Sequence, residues 1–213
     1  MKPLSKVNCT WSPKLAYAVG LIATDGNLSS DSRHIHFTSK DFELAKLFRE
    51  YLKLDVIIGK KARGGEEDKK YFVVQFGDVV FYRFLQKIGL TIRKSKTIGK
   101  LNIPDKYFFD FIRGCIDGDG SIGWFFHPES KLPQYRVRLA SASIKFLEWI
   151  QHRLLKSNIN SYICKNRDIF QLTLAKRDST KILKRVYYRG FPESLGRKYK
   201  KAKKIIAGVA ELA

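Results

Sequence analysis

Residues 108–123 read FFDFIRGCIDGDGSIG, from Phe108 to Gly123, and a degenerate copy, AYAVGLIATDGNL, runs upstream from Ala16 to Leu28. Each copy is an apolar run carrying one small residue, Gly114 or Gly20, and each ends in Asp-Gly, at Asp119-Gly120 and Asp25-Gly26. A run of this length that stops at Asp-Gly reads as a buried helix, because glycine accepts the left-handed conformation that closes many helix C-termini. Gly114 and Gly118 lie four apart, as do Gly20 and Thr24, so each pair shares one helical face where a second backbone can come close. Two such helices are expected to pack together, with Asp25 and Asp119 projecting side by side from their ends. Their mutual repulsion must be offset by something positive. A hard divalent cation such as Mg²⁺, held by few carboxylates and by substrate phosphates, meets that need.

Length and composition bound the answer independently. With 213 residues and 44% hydrophobic content, the chain can bury roughly 70% of its unfolded surface. Lys and Arg number 41 and Asp and Glu 20, so the net charge is 41 − 20 = +21. A surplus that large on a folded chain points to nucleic acid, or less often to an anionic membrane. No apolar run of about 18 residues exists to span a bilayer, and MKPLSKVNCTW at the start has no secretory apolar stretch. Cys9, Cys115 and Cys164 are an odd count without metal-ligand spacing, which suits a reduced intracellular compartment. The sequons at Asn8 and Asn27 are then without consequence.

In chain order the sequence reads as one unit built twice: helix, hairpin, helix, hairpin, helix. Ser12-Pro13 supplies an N-cap and a proline at the first helical position. Two short strands follow between Asn27 and Ser39, turning near Asp31. Asp41 caps a helix with Phe42, Ala45, Phe48 and Leu52 inward, a hairpin spans Asp55 to Gly77, and Asp78 opens a helix to about Ile88. After the basic connector GLTIRKSKTIGKLN and the second motif helix come a hairpin from Ser121 to Ser141 and a helix capped by Ser143 with Ile144, Leu147, Ile150 and Leu154 inward. A hairpin from Ser161 to Ala175 and a helix from Lys176 to Tyr188 complete the unit. The tail SLGRKYKKAKK echoes the connector, Arg197-Lys198-x-Lys200 against Arg93-Lys94-x-Lys96. The aspartates are 119 − 25 = 94 apart and the lysines 198 − 94 = 104, so the second half holds ten extra residues, mostly in the loop FHPESKLP.

Strand alternation assigns a polar sheet face. Ile35 and Phe37 belong to the core, which leaves His34, His36 and Thr38 outward. By the same phase Arg136, Arg138, Gln171, Thr173 and Gln75 point outward. Ile122, Trp124 and Phe126 are assigned to the core, and Phe125 and His127 to the other face. Histidine, arginine, glutamine and threonine can read base edges in a major groove, and Ser29, Arg33, Lys40 and Gln134 border the same face. Lys60, Lys61, Arg63, Lys69, Lys70, Lys165 and Arg167 in the hairpins would grip phosphates and fix register.

The two motif copies resemble the signature of the LAGLIDADG homing endonucleases in their two-motif, single-chain form. Gly20-Leu21-Ile22-Ala23-Thr24-Asp25-Gly26 and Gly114-Cys115-Ile116-Asp117-Gly118-Asp119-Gly120 each fill its last seven positions. The first copy departs in Ala23, where the motif has its earlier acid, and in the larger Thr24 at the helix contact. Neither departure touches the terminal aspartate, the metal-binding residue of the family. The resemblance implies an α+β fold of tandem αββαββα repeats related by a pseudo-two-fold axis, one half over residues 1–100 and the other over 101–213. Two antiparallel sheets would form a DNA-binding saddle, with the motif helices packed at the centre. It further implies a monomeric, intron-encoded or free-standing endonuclease that needs no obligate protein partner and cuts each strand of a long asymmetric DNA duplex. Asp25 and Asp119, with Thr24 and Gly118 beside them, would bind Mg²⁺, and Mn²⁺ or Ca²⁺ could substitute for binding. Lys94 and Lys198 match the supporting basic position, and Ser39 and Ser141 a water-organising one.

Competing readings are weaker. An RNA maturase, or a DNA-binding protein that does not cut, would need the basic face without the metal site, whereas two converging carboxylates on a positive surface serve no pure binder. Gly118-x-Gly120-x-x-Gly123 follows a helix and lacks the βαβ frame of a dinucleotide site. His34-x-His36 lacks further zinc ligands at suitable spacing. Cys115 reads as a buried apolar residue.

Overall fold

A computed structural model describes residues 4–62, 68–125 and 134–210, with side chains to 207. Arg63, Phe126, His127 and the loop FHPESKLP lie outside the described residues. The first half runs α1 (Pro13–Asp25), β1 (Gly26–Leu28), β2 (His34–Ser39), α2 (Phe42–Tyr51), β3 (Gly59–Lys61), β4 (Tyr71–Gly77) and α3 (Val79–Lys87). A short 3-10 turn over Asp105–Tyr107 leads into α4 (Phe108–Asp119), β5 (Gly120–Phe125), β6 (Gln134–Ser141), α5 (Ile144–Leu155), β7 (Tyr162–Asn166), β8 (Ile169–Leu174), α6 (Lys176–Val186) and α7 (Gly196–Ala210). The strands form two four-stranded antiparallel sheets in orders β1-β2-β4-β3 and β5-β6-β8-β7. The second order repeats the first, so the duplicated sequence pattern becomes a duplicated α+β topology. No helix among the described residues is long and apolar enough to cross a membrane.

The motif helices α1 and α4 form the centre. Ser12 accepts the amide of Leu15 at 3.2 Å and Pro13 opens α1, as the local sequence dictates. Glycine brings the two backbones together: a Cβ on Gly20 would lie 2.3 Å from the carbonyl oxygen of Phe111, and one on Gly114 would lie 2.2 Å from that of Tyr17. The terminal glycines act differently from the expectation. Gly26 and Gly120 are extended, with φ −86° in both, and neither is left-handed. A side chain there would strike its own helix, with Cβ 2.6 Å from Cα of Ile22 and 2.5 Å from Cα of Ile116. Glycine is therefore required for the sharp exit from helix to strand.

One hydrophobic core runs through both halves, from Leu15 and Phe37 to Leu147 and Ile182. Inside it, Arg113 pairs with Asp110 at 2.8 Å, donates to the carbonyl of Val186 at 2.9 Å, and lies 5.3 Å from the rings of Tyr17 and Phe191. Asp78 caps α3 at the amide of Phe81 and also accepts from the amide of Val7, both at 2.8 Å, so one buried carboxylate anchors the N-terminal segment.

Several expectations are corrected. Phe42 and Ile144 are exposed at their helix starts. The strand expected from Asp55 spans Gly59–Lys61 alone. Trp124 is 53% exposed; it lies near the far end of β5, edge-on to Tyr135 at 5.4 Å. Thr173 is 2% exposed, because it stands between Arg138 and Tyr162 across the ladder, and a short side chain between two long ones is covered. The tail that echoes the connector is helix α7, whereas the connector is a series of turns. Asp41 and Ser143 make no side-chain cap. Their amides are bonded by Ser39 and Ser141, and their own side chains reach the opposite half.

Candidate active site and nucleic-acid interface

Both motif helices end at one place. Asp25 Oδ2 lies against Gly118, 2.8 Å from where a Cβ would stand, and Thr24 Oγ1 is 2.1 Å from the same point. Asp119 is the next residue. Two clefts flank these tips. The first, about 590 Å³, is lined by Asp25, Asn27, Thr38, Ser39, Lys61 and Lys94. The second, about 290 Å³, is lined by Asp119, Ser141, Ala142 and Lys94.

Ser39 and Ser141 hold equivalent places. Ser39 Oγ accepts the amide of Asp41 and Ser141 Oγ that of Ser143, both at 3.1 Å. The freed side chains then tie the halves together. Arg197 donates two bonds to Asp41, at 2.7 and 3.2 Å, and the Gly196 amide donates to Glu43 at 2.9 Å. On the other side Ser143 Oγ donates to the carbonyl of Ile98 at 2.5 Å. The segments carrying Lys94 and Lys198 are thus each fastened to a helix start in the opposite half.

Both lysines are 5% exposed. Lys94 donates to the carbonyl of Thr24 at 3.3 Å. Lys198 donates to four carbonyls at the end of α4: Ile116 at 2.5 Å, Gly120 at 2.8 Å, Asp117 at 2.9 Å and Gly118 at 3.3 Å. It so adds a cation to the carbonyls at the helix end, where the dipole is negative; that of Ile116 also accepts the Gly120 amide. Burial pushes each ammonium down to about 8; for Lys94 the charges of Asp119 and Asp25 pull back, and for Lys198 those of Asp117 and Asp25 do so. Asp119 keeps its tip exposed, but the protein crowded around it raises its carboxyl, against the pull of Lys94 and Lys198.

Asp117, which has no counterpart at Ala23, faces inward. It is 1% exposed, accepts from Tyr17 Oη at 2.6 Å and from the Leu195 amide at 2.9 Å, and burial pushes its carboxyl up to about 6. Its sequence signal was the mismatch between the motif copies.

The outward sheet face carries most of the side chains that alternation assigned to it. His34 is tied to Asp31 and His36 Nε2 lies 2.9 Å from Ser29 Oγ. No group of three or more His, Cys, Asp or Glu is placed to hold a metal ion among the described residues. Gln75 is exposed and Thr38, Gln134 and Gln171 are half-buried. Arg136 stacks over Phe125 at 4.2 Å. Arg33, Lys40, Lys60, Lys61, Lys69, Lys70, Lys165 and Arg167 are exposed around the edges; Lys40 lies 5.3 Å from the Tyr71 ring, and Lys70 pairs with Asp68 at 3.4 Å. Alternation did not single out Asn27, which faces His36, or Ser121, which faces Arg138, because β1 and the start of β5 are too short or too glycine-rich to show a phase.

Comparisons with known proteins agree with this architecture. Residues 108–187 match the family model described as a LAGLIDADG-like domain. None of the curated proteins compared with the chain matches it. Among solved structures, homing endonuclease I-WcaI bound to its DNA recognition sequence is similar with a TM-score of 0.65 and 14% identity, over 95% of this chain and 88% of that one. LAGLIDADG meganuclease I-AabMI bound to uncleaved DNA gives 0.61 and 15%, over 95% and 91%. Full-length DUF199/WhiA from Thermatoga maritima gives 0.56 and 19% over 93% of this chain, which spans 61% of that protein's length. The matched domain reaches from the second motif helix past α6, so the second half carries a LAGLIDADG-like domain, and the chain as a whole has the fold of these structures, with a second packed copy of that helix in its first half.

Proposed function

We propose that the protein is a site-specific endonuclease that binds a DNA duplex across the outward faces of its two sheets and hydrolyses one phosphodiester in each strand. One observation carries the reading: Asp25 Oδ2 lies against Gly118, one residue from Asp119, so the two helix ends bring two acids together, one in each of two clefts that share Lys94, on a chain of net charge +21. A pure binder of a polyanion gains nothing from acids placed there.

The donor set suits a hard divalent cation. Asp25, Asp119 and the carbonyls of Thr24 and Gly118 are all oxygen ligands, and each carbonyl keeps a lone pair beyond the one its lysine takes. Mg²⁺ held there would polarise a phosphate and activate water, with Mn²⁺ or Ca²⁺ able to take its place for binding. Complexes of I-DmoI with DNA and Mn support such a cation on this fold.

The chain's own residues do the rest. Lys94 borders both clefts and Lys198 is fastened beneath Gly118, so each offers positive charge where a phosphoryl group would gain negative charge. Ser39 and Ser141 border the separate clefts and orient water there. The edge lysines and arginines neutralise phosphates and set register, and the face side chains meet base edges.

A duplex-binding protein that does not cut is the second reading, favoured by the lysine ammoniums already seated on the carbonyls of Thr24 and Gly118. Incubation with a randomised duplex library and Mg²⁺, followed by sequencing of bound and cut ends, separates the two. An enriched sequence with cut ends in both strands is the expected result. Enrichment without cutting would leave the second reading in its place.

A further inference from the structure

The two sheets present different chemistry to whatever crosses them. In the first, Asn27, His36 and Gln75 stand directly opposite one another across β1, β2 and β4. Neighbouring strands are about 4.8 Å apart, so such a row spans roughly 10 Å, or about three base-pair steps. Two of the three are amides, both exposed, and the imidazole between them is fixed on Ser29. His34, one row away, is committed to Asp31, and its partner across the ladder is Gly77. Among the described residues no arginine or lysine is paired in these central rows, although the charge of Lys61 at the edge of the sheet reaches His36.

In the second sheet the same places hold arginine. Arg138 faces Ser121 on one side and Thr173 on the other, and Arg136 faces Gly123. A Cβ on Gly123 would meet nothing within 4 Å, so the glycine floors an open notch bordered by Ser121, Phe125 and both arginines. Phe125 lies 4.2 Å under the Arg136 guanidinium. Stacking holds the planar fork by its face and leaves its donor edge free to meet paired acceptors. Nε of Arg138 is buried without a hydrogen-bond partner among the described residues.

Amides pair bidentately with adenine N6 and N7, and guanidinium groups with guanine O6 and N7. We propose that the two sheets read different bases: the recognised duplex carries adenine under the Asn27, His36 and Gln75 row and guanine under Arg136 and Arg138, with Phe125 the residue that positions Arg136. This rests on the duplex-binding reading above and specifies its substrate.

The test is selection of bound sequences from the randomised library by the full chain with Ca²⁺, repeated with Arg136→Lys, Phe125→Leu and Gln75→Ala. The wild type should enrich guanine at two neighbouring positions of one half-site and adenine within the other. Arg136→Lys keeps the charge and loses the fork, so guanine preference at one position should fall about tenfold while overall affinity stays within a fewfold. Phe125→Leu should weaken the same position, and Gln75→Ala should lower adenine preference in the opposite half alone. Enrichment of the same bases in both half-sites, or an Arg136→Lys profile equal to wild type, overturns the inference while leaving duplex binding intact. No enriched sequence at all overturns both. Binding with this pattern but without cutting in Mg²⁺ overturns the endonuclease and sustains the inference.

Discussion

The carboxylate of Asp25 rests on Gly118: a side chain at Gly118 would put its Cβ 2.8 Å from Oδ2 of Asp25 and 2.9 Å from Cβ of Thr24. No side chain fits without parting the helix tips. Gly118→Ala is therefore expected to cut cleavage at least tenfold while the fold persists, since the last turn can splay where the helix middle cannot. Circular dichroism and a cleavage assay on the enriched duplex check this, and full activity in a folded variant would contradict it.

Removing the charge and keeping the shape separates chemistry from binding. Asp25→Asn and Asp119→Asn should each abolish double-strand cleavage and leave affinity for the duplex unchanged or higher, because a metal ligand is lost along with a negative charge that repels phosphate. Gel-shift and cleavage assays on the same duplex read the two effects. Normal cutting by either variant would remove that aspartate from the site.

Asp117 predicts a pH dependence of stability. Its folded pKa, about 6, lies above the ordinary carboxylate value, so between about pH 4 and 6 the folded chain holds a proton that the unfolded chain has released. The resulting stabilisation is complete below pH 4 and lost as pH rises through 6, leaving an ionised buried group that costs on the order of 2–3 kcal/mol at pH 7. Asp117→Asn cannot ionise. Without divalent metal, its stability relative to wild type should rise by about that amount from pH 4 to 7, as read by urea unfolding, and a difference constant with pH would refute the assignment.

Phosphate contacts should appear in the salt dependence. Affinity for the duplex is expected to fall steeply with added salt, and Lys61→Ala, at the exposed edge of β3, should reduce the log–log slope by about one and weaken all sequences alike. A slope equal to wild type would place Lys61 off the duplex.

The tightest approach to a backbone atom is not at the site. A Cβ on Gly114 would stand 2.2 Å from the carbonyl oxygen of Tyr17, a backbone atom that moves only with its helix. Gly114→Ala should destabilise the fold by about 3 kcal/mol or more, measured by denaturant midpoint at unchanged slope.

Much of this architecture is written in short stretches of sequence. Where neighbours along the chain decide the outcome, reading residues in order suffices. Ser12-Pro13 and Asp78 start helices because a cap acts over three residues, and Ile35 and Phe37 face inward because strand side chains alternate. The motif helices end at Asp25 and Asp119 because each is an apolar run closed by Asp-Gly, and the doubled strand order follows from the doubled pattern.

The tertiary structure alone decided what depends on atoms distant in the chain. Alternation placed Thr173 outward, but flanking strands cover it; it placed Trp124 inward, but it stands 53% exposed near the end of β5. Glycine is required in the middle of the motif helices because the carbonyls of Phe111 and Tyr17, on the opposite helix, leave no room for a side chain at Gly20 and Gly114, a reason invisible to local preference. Spacing made Lys94 and Lys198 equivalent, yet one, in a turn, bonds a single carbonyl and the other, in α7, bonds four. Periodicity reports which side of an element is apolar; what lies on that side, and how near, is set by packing.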